Sequence, residues 1–331
     1  MAENAESATR ETVRCFICLK HKTPEEFTLE HIFPDAVGGT LTTRRVCKPC
    51  NDSLGHSVDC TVTDHTFVQL ARMTRGIAGK TGHIPNPLER GVLRDNPEQK
   101  VSLRADPAGG PLTAYTIPMV NKTMTEPGKG QVSVRLDAED AHKLGDVLNK
   151  TLKRSGAPQL TPEQIEQLRP NTEAIHQPWI NVDLGFDLSQ YRRGLMKIAY
   201  ELACVWLGDD YLDDPAAGEL RRFMLDTQLT LDAAGYSIPM TMKFAGQPLL
   251  IEFWENERTN LIAAGFAQGS ELAIYVNVLG ALEAIVQVTA NMAAYPNFES
   301  HFVSIDPKTG VTRESSFDQE IIRVGSAWQP A

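Results

Sequence analysis

Between Ser189 and Leu207 the apolar residues Leu195, Ile198, Ala199, Leu202 and Trp206 recur at intervals of three and four. That is the spacing of one buried face of an α-helix. A second helical pattern runs from Ala216 to Leu229. From Tyr236 onward the period shortens, and the chain reads as strands: Leu249 to Trp254, Leu272 to Leu279 and Leu282 to Val288, the last two forming a hairpin about Gly280. His301 to Ile305 and Val311 to Ser315 pair about Asp306-Pro307-Lys308-Thr309-Gly310, a turn that its proline and glycine favour.

Earlier in the chain, Phe67, Val68, Leu70, Ala71 and Met73 predict a helix ending near Gly76. Gly76 to Gln99 is rich in Gly, Pro and Asn and reads as a connector. Residues 100–135 read as strands with turns at Gly109-Gly110 and Gly128. Asp137 to Arg154 reads as a helix N-capped by Asp137, and Gln159 to Trp179 holds a short helix flanked by prolines. The layout expected is a disordered polar tail (1–12), a cysteine-bearing module (13–65), a helix and connector (66–99), and an α+β domain with an antiparallel sheet (100–331). The most apolar stretch, Glu271 to Ala290, is interrupted by Asn277, Gly280, Glu283 and Gln287, so no membrane span is expected. The first fourteen residues are polar and lack a hydrophobic signal segment, which makes the cytoplasm the expected compartment.

Cysteine changes this picture. Four of the six cysteines form two Cys-x-x-Cys pairs, Cys15/Cys18 and Cys47/Cys50. Without an export signal, paired motifs favour thiolate–metal chemistry over disulfides. Two tight turns delivering two sulfurs each suit a tetrahedral structural Zn²⁺; a redox Cys-x-x-Cys explains one pair but not two. Cys60 and Cys204 read as spectators, Cys204 within an apolar helix.

Between the pairs lie Leu29-Glu30-His31-Ile32-Phe33-Pro34 and Gly38-Gly39, and Asn51 follows the last cysteine. Phe27 to Ile32 reads as a short strand that Pro34 ends. Gly38-Gly39 reverses the chain toward a second strand near Arg44 to Val46, and a helix begins near Pro49, where proline is tolerated. This order of elements resembles the HNH endonuclease family. The resemblance covers residues 13–60 and implies a ββα-metal fold, zinc-stabilised here, that hydrolyses DNA phosphodiester bonds. Such hydrolysis needs a base to activate water and a divalent cation to stabilise charge on the phosphate. His31, the only histidine in the motif core, is assigned as the base. By the resemblance, Glu30 and Asn51 hold the catalytic cation, and oxygen ligands suit Mg²⁺ or Mn²⁺. The family's middle asparagine has no counterpart between His31 and Asn51, where Thr40 and Thr42 are the available substitutes. Position 55, where the family's alternative helix signature has a second histidine, is glycine. His56 lies too far round the helix, and Asp59 reads either as a cap for the next helix or as a group supporting the site. The alternative reading is a zinc-dependent nucleic-acid or protein-binding module without catalysis, in which His31 is a core histidine.

Charge is the last constraint. The net charge of -10 sits awkwardly with DNA binding, but it is unevenly spread. Residues 10–104 carry 14 Lys+Arg against 11 Asp+Glu, or +3, and residues 105–331 carry -11. Arg44, Arg45 and Lys48 are the candidate phosphate contacts, and Arg72, Arg75 and Lys80 would extend them. Arg192, Arg193 and Lys197 read as a solvated helix face, and Trp206 and Trp254 as core. Besides DNA, the partners expected are a small-molecule activator or further copies of the chain, because HNH modules fused to sensing domains occur in bacterial antiviral defence.

Overall fold

The computed structural model describes residues 12–104, 112–126, 129–168, 171, 178–185, 190–227, 240–243, 254 and 256–327. The expected tail (save Thr12), the turns at Gly109-Gly110 and Gly128, and the strand expected over 249–253 lie outside these residues. The chain forms two units, residues 1–85 with 186–331 and residues 86–185.

The first unit opens with the hairpin β1 (Val13–Arg14) and β2 (His21–Lys22), then β3 (Phe27–His31) and β4 (Thr42–Cys47), an antiparallel pair. Helix α1 (Lys48–Leu54) starts with proline in its first turn. It widens into a π-turn over Gly55–Asp59 and continues as α2 (Cys60–Thr63). Helix α3 (Thr66–Arg75) follows and ends on Gly76 at φ +67°, a left-handed cap that glycine adopts without strain. The ββα order expected from the motif is therefore present.

In the second unit β5 (Gly91–Leu93), β6 (Asn96–Arg104) and β7 (Thr113–Thr116) join one sheet, and β8 (Met119–Glu126) and β9 (Lys129–Arg135) form a separate hairpin. After a 3-10 turn whose Asp137 cap accepts from the Glu139 N–H come α4 (Leu144–Arg154) and α5 (Pro162–Glu166). β10 (Ile180–Val182) closes the sheet beside β5. The stretch read as a connector up to Gln99 thus contains β5 and the start of β6. An expected boundary near residue 100 falls inside a strand; the division lies instead before Asn86 and after Gly185.

The chain then returns to the first unit with α6 (Tyr191–Leu207) and α7 (Pro215–Leu225), N-capped by Asp214. A six-stranded antiparallel sheet is built from β11 (Met240–Lys243), β12 (Leu261–Gln268), β13 (Glu271–Val278), β14 (Leu282–Thr289), β15 (His301–Ile305) and β16 (Thr312–Ser315), in the order β11-β14-β13-β12-β15-β16. Helix α8 (Phe317–Ala327) ends the described chain. The β13–β14 and β15–β16 hairpins match the sequence expectation. β12 and α8 were not foreseen.

One core unites the cysteine-bearing module with this sheet. Phe16, Ile32, Val46 and Leu54 belong to the same buried cluster as Leu195, Ile198, Ile274 and Val286. α6 lies so close to α2 that a Cβ on Gly194 would stand 2.3 Å from Val62 Cγ2. Gly38, at φ +87°, is pressed equally hard: a Cβ there would lie 2.5 Å from the Pro307 carbonyl oxygen. The cysteine-bearing module over residues 13–65 thus shares its core with elements far along the chain, because its own elements are too few to cover its apolar side. Among the described residues no helix is long and apolar enough to cross a membrane.

Candidate active site and metal centre

The sulfurs of Cys15, Cys18, Cys47 and Cys50 all lie within 4.8 Å of one another, and Cys18 Sγ is 3.9 Å from Cys47 Sγ. A Zn–S bond of about 2.3 Å places tetrahedral sulfurs roughly 3.8 Å apart, so the cluster has the dimensions of a zinc site. The Cys47 N–H points at Cys15 Sγ (3.4 Å), and the turn after Cys18 passes through Leu19 at φ +59°, which aims both sulfurs one way. Burial pushes the Cys50 thiol up, and the sulfurs of Cys47, Cys15 and Cys18 push it further. Four thiolates crowded like this repel one another until a cation binds them, so the donor set suits structural zinc.

β3, whose first residue Phe27 pairs with Cys47, carries Glu30 and His31 on adjacent positions. Glu30 is buried (2% exposed), whereas the His31 ring stays partly open, its Nε2 4.0 Å from Asp35 Oδ1. β3 is irregular between Thr28 and Glu30. From the first turn of α1, Asn51 Nδ2 donates to Thr28 Oγ1 (3.1 Å) and to the Leu29 carbonyl (2.9 Å). That pair of bonds ties the helix to the strand at the irregularity. Asn51 therefore faces the strand, and its Oδ1 accepts no hydrogen bond among the described residues. The stand-ins for the missing asparagine separate: Thr42 pairs with His31 across the strands, whereas Thr40 bonds to Thr312 (3.0 Å).

The residue that dominates the site was misread from sequence. Lys197, taken as part of a solvated face, is fully buried in α6 and reaches into the module. Its Nζ lies 2.6 Å from Glu30 Oε1, 2.7 Å from the His31 carbonyl and 3.3 Å from the Ile32 carbonyl. Asp59 Oδ1 is 3.2 Å away and Glu201 Oε2 3.3 Å. Asp59 comes from the π-turn, whose wider winding changes which residues face α6. Of the two roles expected for it, Asp59 takes that of a supporting group, as an ion-pair partner, and makes no side-chain cap bond.

Burial raises the carboxyls of Glu30, Asp59 and Glu201 above their ordinary range, and Lys197 offsets this only in part. Burial alone would lower the Lys197 ammonium, but the three carboxylates reverse this and hold it charged. The signal available in the sequence was Lys197 and Glu201 one helical turn apart inside an otherwise apolar run, Leu195 to Cys204.

The basic residues split. Arg44 is exposed, and Lys48 is exposed in a surface pair with Asp52. Arg45 packs on the Phe16 ring and donates to Asp209 (2.7 Å) and the Arg14 carbonyl; Arg14 in turn pairs with Asp213 (2.7 Å). Arg72 turns inward to the carbonyls of Ile77, Ala78 and His83, and Arg75 to that of Leu279, so neither extends a phosphate surface. Arg193, expected in solvent, is buried and donates to the Met224 carbonyl. Trp254 is core as expected; Trp206 packs against the core and stacks on His301.

Residues 15–67 match the model of the HNH endonuclease family, which suggests nuclease activity and a nucleic-acid substrate. No curated protein and no solved structure matches the chain.

Proposed function

We propose that this protein is a divalent-cation-dependent endonuclease that hydrolyses DNA phosphodiester bonds. The observation that carries the reading is His31: a partly open imidazole on the strand of the matched ββα unit, next in sequence to a buried carboxylate, in a module that also holds a four-cysteine cluster. His31 takes a proton from the attacking water. Glu30 and Asn51 each keep one oxygen without a hydrogen bond among the described residues, a donor set suited to Mg²⁺ or Mn²⁺. Glu30 and Asn51 would hold the cation, and it would supply stabilisation of charge on the phosphate and leaving oxygens. Arg44 and Lys48 lie exposed near the start of α1 and would meet the phosphate backbone, with Arg45 in reserve behind Asp209.

The remainder of the chain restrains this activity in our reading, as suits a nuclease kept safe for its host, such as one used in bacterial antiviral defence in the cytoplasm. Two observations support restraint: the -11 charge of residues 105–331 and the pairing of Arg14 and Arg45 with Asp213 and Asp209. We assign residues 86–185 to target recognition, ligand sensing or self-association.

Plasmid cleavage by the full chain, with and without EDTA, tests the proposal. Mg²⁺ or Mn²⁺ should support cleavage, and His31→Ala should abolish it while about one zinc per chain is retained. Cleavage unchanged in His31→Ala would sink the catalytic assignment and leave a zinc-dependent binding module. Asp209→Asn with Asp213→Asn should free Arg45 and Arg14 and tighten non-specific DNA binding at low salt, with the gain shrinking as salt rises.

A further inference from the structure

Lys197 lies far outside residues 15–67, the span that matches the nuclease family, yet its ammonium sits on the strand that carries His31. An ammonium has three N–H donors. Here they face five acceptors at 2.6 to 3.3 Å: the Glu30 carboxylate, the His31 and Ile32 carbonyls, Asp59 and Glu201. The two shortest contacts are to Glu30 and to the backbone of His31. One holds the Glu30 side chain and the other the backbone carbonyl of His31, next to the Cα that carries the imidazole. With Nζ wholly buried, water cannot compete for these bonds. The Glu30 carboxylate is held through Oε1 alone, which leaves Oε2 free of hydrogen bonds among the described residues.

We propose that Lys197 is a positioning residue of the nuclease centre. Its ammonium anchors Glu30 by one oxygen so that the other is presented to the catalytic cation, and it holds the His31 backbone so that the imidazole keeps its distance from that cation. The assignment rests on the nuclease reading above and adds to it a component supplied by α6. Groups that orient metal ligands cost about 10- to 100-fold in metal affinity or activity when removed.

The test uses the full chain. In Lys197→Met, the Mn²⁺ concentration that gives half-maximal cleavage should rise at least about tenfold and the saturating rate should fall. The DNA dissociation constant and zinc content should stay at the wild-type values. A purely structural lysine would lower the melting temperature and leave the Mn²⁺ midpoint where it was. A folded Lys197→Met with the wild-type midpoint and rate overturns the proposal.

Lys197→Met also leaves three buried carboxylates without their cation and can fail to fold. The wild-type chain supplies the second measurement. With ¹⁵N-labelled lysine, the buried ammonium should give a slowly exchanging resonance that shifts on titration with Mg²⁺. A resonance that saturating Mg²⁺ does not move overturns the proposal. The nuclease reading fails differently: the wild-type chain would cut no DNA with any divalent cation, or His31→Ala would cut it normally.

Discussion

Two clusters of charge, each built round a buried carboxylate, stand in the same structural unit, and they are built on opposite plans. In one, a single lysine, Lys197, faces Glu30, Asp59 and Glu201. In the other, Glu257 and Glu320 are matched by Arg313 and Arg323, with the Trp254 N–H and Ser304 hydroxyl completing the set. The second is balanced, two negative charges against two positive. Burial pushes the Glu320 carboxyl up, but hydrogen bonds from Arg323 and Arg313 outweigh burial and hold it below the ordinary glutamate range. The first is overloaded with carboxylate, and all three of its acids are raised. Among the described residues neither oxygen of Glu201 has a hydrogen bond, and its ion pair is with Lys197. The balanced cluster fastens α8 to the sheet. The unbalanced one lies on the strand of His31, where the proposed function places a catalytic cation.

The largest effect expected from breaking either cluster is Lys197→Met, which should cost about 3–5 kcal/mol of stability because it strands buried charges. Thermal melts of zinc-loaded protein check this. A loss below about 1 kcal/mol would mean the carboxylates reach water or a partner other than Lys197.

Glu320→Gln should cost less, about 1–2 kcal/mol, since Arg313 and Arg323 are partly exposed and both keep Glu257. DNA cleavage should be unchanged. A drop in cleavage at equal folding would show that the two clusters communicate.

Titration separates them next. Glu320 is depressed, so its pairing supports the fold above the unfolded value of about 4.3 and is lost as pH falls through the lowered folded value. The melting-temperature gap between wild type and Glu320→Gln should therefore be widest near neutrality and close in acid. A gap that widens in acid contradicts the assigned pairing.

The smallest effect is a gain. Glu201 is raised, so the fold disfavours its ionised form, and the penalty grows as pH rises above about 4.3. Glu201→Gln keeps an oxygen for Lys197 and should add about 1 kcal/mol near pH 7.5, fading in acid. Its slope with pH is opposite to that of Glu320→Gln. A destabilised variant at pH 7.5 would mean that the ion pair with Lys197 outweighs burial.

Legibility followed locality. The four-cysteine cluster, the ββα order, Gly76 as a helix end and the β13–β14 and β15–β16 hairpins were readable, because each rests on local turns or hairpins. β12 was not. Its first five residues, Leu261 to Gly265, are buried on both faces and so show no alternation, and Ala263, Ala264 and Gly265 lack the bulk that marks a strand. The basic residues were misjudged for a related reason. Arg45, Arg72, Arg75, Arg193 and Lys197 look like surface in a linear pattern, yet each finds a partner or carbonyl in the fold.

By itself the sequence determined the chemistry on offer: four thiolates spaced for one metal, and an imidazole, a carboxylate and an amide on the strand and helix between and after them. Covalent spacing is enough for that, since turns and short strands place their side chains by local geometry. Only the tertiary structure decided which charges are buried together. Lys197 meets Glu30 because Gly194 lets α6 approach α2 and because the apolar faces of both must be covered. Burial energy, shared over many distant residues, brings that ammonium to the strand, and a linear pattern carries no record of which distant face will arrive.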